Sequence, residues 1–432
     1  MVSKDKNFRS NESKERIGAP TEVNFFKLGG TWDMIFRQDG AKIGSGSLDD
    51  NKLKELQGEV GIFTRDPHER RGAEKRLVSS LTESFEQSSS EPVDVVEHLS
   101  SWAKNSRGEA FGDFVSGQFV PLFSGDSSHL RNPIIAPMLS FLIKRAIGEP
   151  TRPILGGQGT DTADVALLGL FDVLTFDTKL PPLMLTGANR SHNEPNSDAP
   201  GNFVDLAKLA TIDVGHGAFW IFQGNLYKGS DFVKIDPEES RKIESQSTFF
   251  AAHNTNQSIE RLLDLKDKLK ADWQSNVPPP ENHVAYRVTA EALYDACEAV
   301  YTDDLGNQNS VPQLMNQVYN PDIKAIIVGA HSLGNVDNES RFDLVQAAKE
   351  GKLVIVASRT LIGGTNEEYA ASLLYANQDQ NELKDTGKLI ISAHKLGKTM
   401  ARAIAVRAII DGLDGAETQS LLDNYARSRK LM

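Results

Sequence analysis

The chain of 432 residues has a single cysteine, Cys297, so it can form no intrachain disulfide and no multi-cysteine metal cage. Long apolar runs are missing as well. Nothing approaches the roughly 18 consecutive apolar residues of a membrane span, and residues 1–20 are charged and polar, without a signal-type apolar stretch. Positive charge is in deficit: a formal charge of -12 repels nucleic acid and anionic lipid at long range. The nine histidines include no His-x-x-x-His or His-Glu pair on one helix face, which argues against a zinc site. These absences leave a protein of the reducing cytoplasm that handles a small polar molecule without metal or cofactor, and with neither nucleic acid nor membrane as partner.

With 39% hydrophobic and 25% charged residues, the chain has ordinary globular composition and length enough for two domains. Residues 1–20 read as a flexible leader. Beyond them, short apolar runs at 23–28, 154–155, 182–185 and 218–222 each end in glycine or a turn residue, and 164–171 suits a crossover helix. That alternation predicts a mostly parallel sheet flanked by helices over 21–258. A polar stretch near 60–112 reads as an insertion, with Val93, Val96, Leu99 and Trp102 at helical spacing. Residues 259–281 read as an inserted helix, apolar at Ile259, Leu262, Leu263 and Leu269, stopped by the proline-rich linker Pro278-Pro279-Pro280. Runs at 283–288, 325–328, 353–356 and 389–391 predict further strands, making 282–432 a smaller α/β domain.

The chemistry gathers at strand ends. Gly29-Gly30-Thr31 and Gly156-Gly157-Gln158-Gly159-Thr160-Asp161-Thr162 come directly after apolar strands, at the edge where open α/β sheets bind ligands. The glycines let backbone N–H groups approach a substrate, where they can hold a developing oxyanion. A threonine hydroxyl also needs a base to attack an amide, and a lysine of lowered pKa, Lys234, comes soon enough after the 218–222 strand to supply one. Taken alone, a Gly-Thr-Asp turn reads as a helix N-cap more readily than as a catalytic turn, and a single lysine as solvated.

The order of several segments together resembles the bacterial-type L-asparaginase and glutaminase-asparaginase family. Phe25-Phe26-Lys27-Leu28-Gly29-Gly30-Thr31 resembles its first threonine motif, and Gly157-Gln158-Gly159-Thr160-Asp161-Thr162 its second. The segments 185–190 and 197–202 resemble the family's stretch after the second motif, and Gly229-Ser230-Asp231-Phe232-Val233-Lys234 the catalytic-lysine loop. The resemblance implies a two-domain α/β fold and hydrolysis of a side-chain carboxamide, L-asparagine to L-aspartate and ammonia. In that reading Thr31 is the nucleophile, Thr160, Asp161 and Lys234 form the activating triad, and Ser127 and Ser128 hold the substrate's carboxylate and amino group. Ala188 offers backbone contacts. Asn335 of a second copy would complete the site, implying a homodimer or homotetramer.

Departures from the family pattern bear on activity. The loop 37–47 has no tyrosine, which family members use to activate the first threonine, and Trp32-Asp33 replaces a small apolar pair. A noncatalytic ligand-binding protein or scaffold of the same fold is therefore the alternative. A third reading rests on Ser392-Ala393-His394-Lys395-Leu396-Gly397-Lys398-Thr399, which imitates a nucleotide-binding P-loop but has serine where the first glycine belongs.

Overall fold

A computed structural model describes residues 20–29, 48–88, 93–99, 101–124, 130–160, 167–229, 232–234, 250–252, 257–264, 278–304, 310–330, 336, 338–358, 365 and 389–428. The larger sheet is built from β1 (Thr21–Leu28), β2 (Leu48–Asp49), β3 (Val93–Asp94), β4 (Val115–Ser124), β5 (Ile154–Gly157), β6 (Leu183–Thr186), β7 (Ala218–Phe222) and β8 (Asn225–Lys228). Beyond it come β9 (Phe232–Lys234) and β10 (Phe250–Ala252), an antiparallel pair, and β11 (Gln257–Ser258), which edges the larger sheet. The order is β11-β8-β7-β6-β5-β1-β4-β2, with β3 also on β4. From β7 to β2 every pairing along that order is parallel. The smaller sheet, β12 (Val300–Asp304), β13 (Ala325–Ala330), β14 (Leu353–Ser358) and β15 (Ile390–Ser392), is parallel throughout.

The central strands are apolar on both faces because both faces are covered, as expected of parallel sheets. Along β1, Val23 and Phe25 enter one core, with Phe111, Phe119 and Phe203, while Phe26 and Leu28 enter another. The second core continues into the smaller lobe. It takes in helices Pro67–Ser88, Asn132–Gly148 and Leu167–Thr175, then Ala290–Glu298 and Lys398–Asp411, and finally one face of the smaller sheet. A layer of helices is thus shared by two sheets. The far face of the smaller sheet has its own core under helices Ser310–Val318 and Asn338–Lys349.

Polar locks reinforce the shared layer. Arg407 donates to both oxygens of Asp177, at 3.0 and 2.8 Å, and to the Val173 carbonyl at 2.7 Å. His283 Nε2 lies 2.9 Å from Asp177. Burial alone would raise the Asp177 pKa, but these two partners outweigh it and hold the carboxyl well below its ordinary range. Tyr425 donates to the buried Asp172, whose other oxygen accepts from the Ala218 amide at 2.9 Å.

Three sequence expectations change. Residues 283–288 do not form a strand: Val284–Arg287 is a helical turn, capped by His283 Nδ1, which accepts from Ala285 N at 3.1 Å. Val284 and Val288 bury at helical spacing, and a six-residue stretch with so few apolar positions does not separate that period from strand. The helix expected at 93–102 is shorter, Val95–Leu99, preceded by β3. The main helix of that region is Pro67–Ser88 instead, burying Ala73, Leu77, Val78, Leu81 and Phe85 as one stripe among charged residues.

Candidate active site

Parallel pairing aligns the strand ends in layers. Lys27 pairs with Gly157, Gly157 with Thr186, and Thr186 with Ile221, so four strands finish their pairing at one level. Directly above lie Gly29, Gln158 to Thr160, and Gly187 with Ala188. The gap between β5 and β6 closes through Gln158 N, which donates to Thr186 O at 2.8 Å. A side chain there would not fit: a Cβ on Gly187 would fall 2.4 Å from the Gln158 carbonyl and 3.0 Å from the Trp220 ring. A Cβ on Gly156 would meet Leu185 and the Phe26 carbonyl at 2.8 Å. Gly29 turns the chain out of β1 with φ +79, a conformation that costs glycine little.

Thr160 sits at this edge, 4% exposed, and Ala188 is fully buried at the same level, one residue past Gly187. Thr31 lies two residues beyond Gly29 and, with Asp161, Ser127, Ser128 and Asn335, falls outside the described residues. Ser127 and Ser128 come shortly after the end of β4, which pairs with β1, so their segment starts from the same edge. Thr186 is not a free hydroxyl, since its Oγ1 donates to the Ile221 carbonyl at 2.7 Å.

The route to Lys234 is less direct than the sequence implied. Strand β8 runs antiparallel to β7, so Gly229 arrives at the opposite edge, its amide on the Ala218 carbonyl at 2.6 Å. Lys234 comes five residues later, and five extended residues span about 17 Å. Climbing β7, about 13 Å tall, uses most of that reach. The β9 backbone pairs with β10, and the Lys234 side chain falls outside the described residues.

The loop after β6 is fixed by residues whose roles composition did not reveal. Asn202 donates to the Gly187 carbonyl at 2.9 Å and accepts from Gln223 N at 2.9 Å. Asp198 accepts from the amides of Asn189 at 3.1 Å and Arg190 at 3.2 Å. Burial raises the Asp198 carboxyl above its ordinary range, against the pull of those hydrogen bonds. Lys27, to which the sequence pattern attaches no role, is 4% exposed in the layer just below the glycine turns. A lysine this enclosed is rare without a partner.

Other sequence features resolve as structural. Cys297 is free and buried, and burial pushes its thiol up to about 11, which removes it as a nucleophile near neutral pH. The segment 392–399 is a strand end and helix entry: Ser392 is 2% exposed, its Oγ accepts from His394 N at 3.0 Å, and His394 takes φ +52. His394 Nε2 lies 2.9 Å from Asp423, and Gln419 donates to the same carboxylate at 2.6 Å. Trp220 is buried against Phe222, with ring centroids 6.2 Å apart.

Residues 78–264, which carry the glycine-rich edge from β3 to β11, match the family described as Asparaginase, N-terminal. No curated protein matches the chain in sequence. Among solved structures, the crystal structure of a probable cytoplasmic L-asparaginase from Campylobacter jejuni aligns with a TM-score of 0.56 at 14% identity, over 93% of this chain and 99% of that one. At that identity the match establishes the asparaginase-like α/β fold of both lobes, and the chemistry has to be argued from the residues.

Proposed function

We propose that this protein is an amidohydrolase of asparaginase type, cleaving a side-chain carboxamide such as that of L-asparagine to the carboxylate and ammonia. The observation that carries this reading is the common strand-end level, where Gly29, Thr160 and Ala188 stand above paired β1, β5 and β6. In this reading Thr31 attacks the carboxamide carbon, backbone N–H groups of the glycine turns hold the oxyanion, and ammonia leaves. Water then hydrolyses the acyl-threonine. Thr160, Asp161 and Lys234 move the proton for attack and for hydrolysis. Ser127 and Ser128 bind the substrate's α-carboxylate and amino group, and Ala188 contacts it through its backbone. Asn335 enters from a second copy, so the active form is a homodimer or homotetramer. We place it in the cytoplasm; among the described residues, no helix is long and apolar enough to cross a membrane.

The test is ammonia release from a panel of amino-acid amides by the wild type, Thr31→Ala and Thr160→Val. Both variants should lose about 10²–10⁴ of the rate, the span of a missing nucleophile or proton relay. Loss in Thr160→Val alone would remove Thr31 as nucleophile. The tyrosine-free loop 37–47 favours a second reading, a ligand-binding protein of the same fold. That reading requires aspartate or asparagine to bind without ammonia release and Lys234→Met to leave binding intact.

A further inference from the structure

A cleft of about 1070 Å³ opens where the lobes meet, and none of the glycine-turn residues lines it. Its walls come from helices Asp50–Glu59 and Pro67–Ser88, the start of Asn132–Gly148, the end of Ala290–Glu298 and the approach to β13. The chain carries -12 overall, yet this cleft is lined by five basic side chains against three acidic ones. Three of the five are engaged: Arg70 pairs with Glu74 at 3.1 Å, Arg71 with Asp322 at 2.8 Å, and Arg402 donates through Nη2 to Asn132 and the Cys297 carbonyl. Lys54 and Arg131 make no side-chain ion pair or hydrogen bond among the described residues. Arg131 also marks the N-terminal end of a 17-residue helix, whose dipole adds positive potential on the same wall. The apolar part of the lining includes Ile62, Ile323 and Phe63, a residue 71% exposed.

Unpaired cations and an exposed ring lining one cleft form a two-part recognition surface. Lys54, Arg131 and the remaining donors of Arg402 suit a dianionic group, which accepts several charge-assisted hydrogen bonds. Phe63 offers a face on which a flat ring can stack. We propose that this cleft binds a phosphate monoester that carries a ring, the chemistry of a nucleoside monophosphate. The phosphate sits on Lys54 and Arg131, and the ring lies against Phe63. Leu130 and Arg131 come directly after the segment that holds Ser127 and Ser128, so an occupant touches the chain next to the proposed substrate loop.

Titration calorimetry on the full chain with AMP, adenosine and inorganic phosphate tests the binding, whether or not any amide is cleaved. AMP should bind one per chain and at least about tenfold more tightly than adenosine or phosphate, a difference of about 1.4 kcal/mol. Lys54→Glu with Arg131→Glu, both exposed positions, should abolish that preference while the melting temperature of the unliganded protein holds. Phe63→Ala should weaken AMP but not phosphate. AMP binding no tighter than phosphate, or unchanged in the double charge reversal, overturns the proposal.

Discussion

The larger sheet has two faces, and they are stabilised differently. One face is continuous with the smaller lobe: its core runs through the shared helices and is fastened by Arg407, Asp177 and His283. The other closes on itself, as Phe25, Phe111, Phe119 and Phe203 pack under helix Ala199–Leu209. Its outer polar residues are less well matched. Lys208 pairs with Glu109 at 2.5 Å, while Asp205 on the same helix has its pKa raised to about 6, first by burial and then by Glu109, against the pull of Lys208. A buried ionisable group stabilises a packed face only when its partners offset the loss of water.

Removing one partner from the joined face should have the largest effect. Arg407→Ala leaves the partly exposed Asp177 without its main counter-charge and the buried Val173 carbonyl without its donor, and urea unfolding should show a loss of about 2–4 kcal/mol. Because the two lobes share that layer, the loss should appear as one shifted transition. Two separate transitions would show that the lobes unfold independently. Gly187→Ala acts at the strand-end edge between the faces, forcing a Cβ against the Gln158 carbonyl; it should cost about 1–3 kcal/mol and depress amide turnover beyond what the lost stability explains.

Asp205 sharpens the comparison through pH. Its folded-state pKa lies above the ordinary 3.8, so the protonated form is favoured by folding and its contribution is complete below about pH 4. That contribution is lost as pH rises through 6. Asp205→Asn should therefore flatten the dependence of stability between pH 4 and 6, and raise stability at pH 7.5 by about 2 kcal/mol. Melts of the two proteins that run parallel across that range would assign the slope elsewhere.

The strand-turn units were legible because their signals are local. An apolar run with glycine at its end marks β1, β5 and β6, and so places Thr160 at a carboxyl edge from sequence alone. Elements whose signal is spread along the chain were not seen. The buried stripe of Pro67–Ser88 is five residues scattered among arginines and glutamates, and β4 is interrupted by Ser116, Gly117 and Gln118. The burial of Lys27 could not be read from its neighbours in sequence, because it is imposed by β4 and β5, which arrive roughly a hundred residues later. The turn after β8 explains the indirect path to Lys234 in the same way: only strand direction reveals that the chain first crosses to the opposite edge.

The helical layer held in common by both sheets has a consequence for the peptide link between them. Cleavage between residues 264 and 278 should leave two fragments that stay together and co-elute, because the cohesion resides in interdigitated side chains and not in the covalent tether. Expressed alone, either fragment would present a wide greasy wall to water and precipitate, whereas co-expression of both should restore a soluble pair.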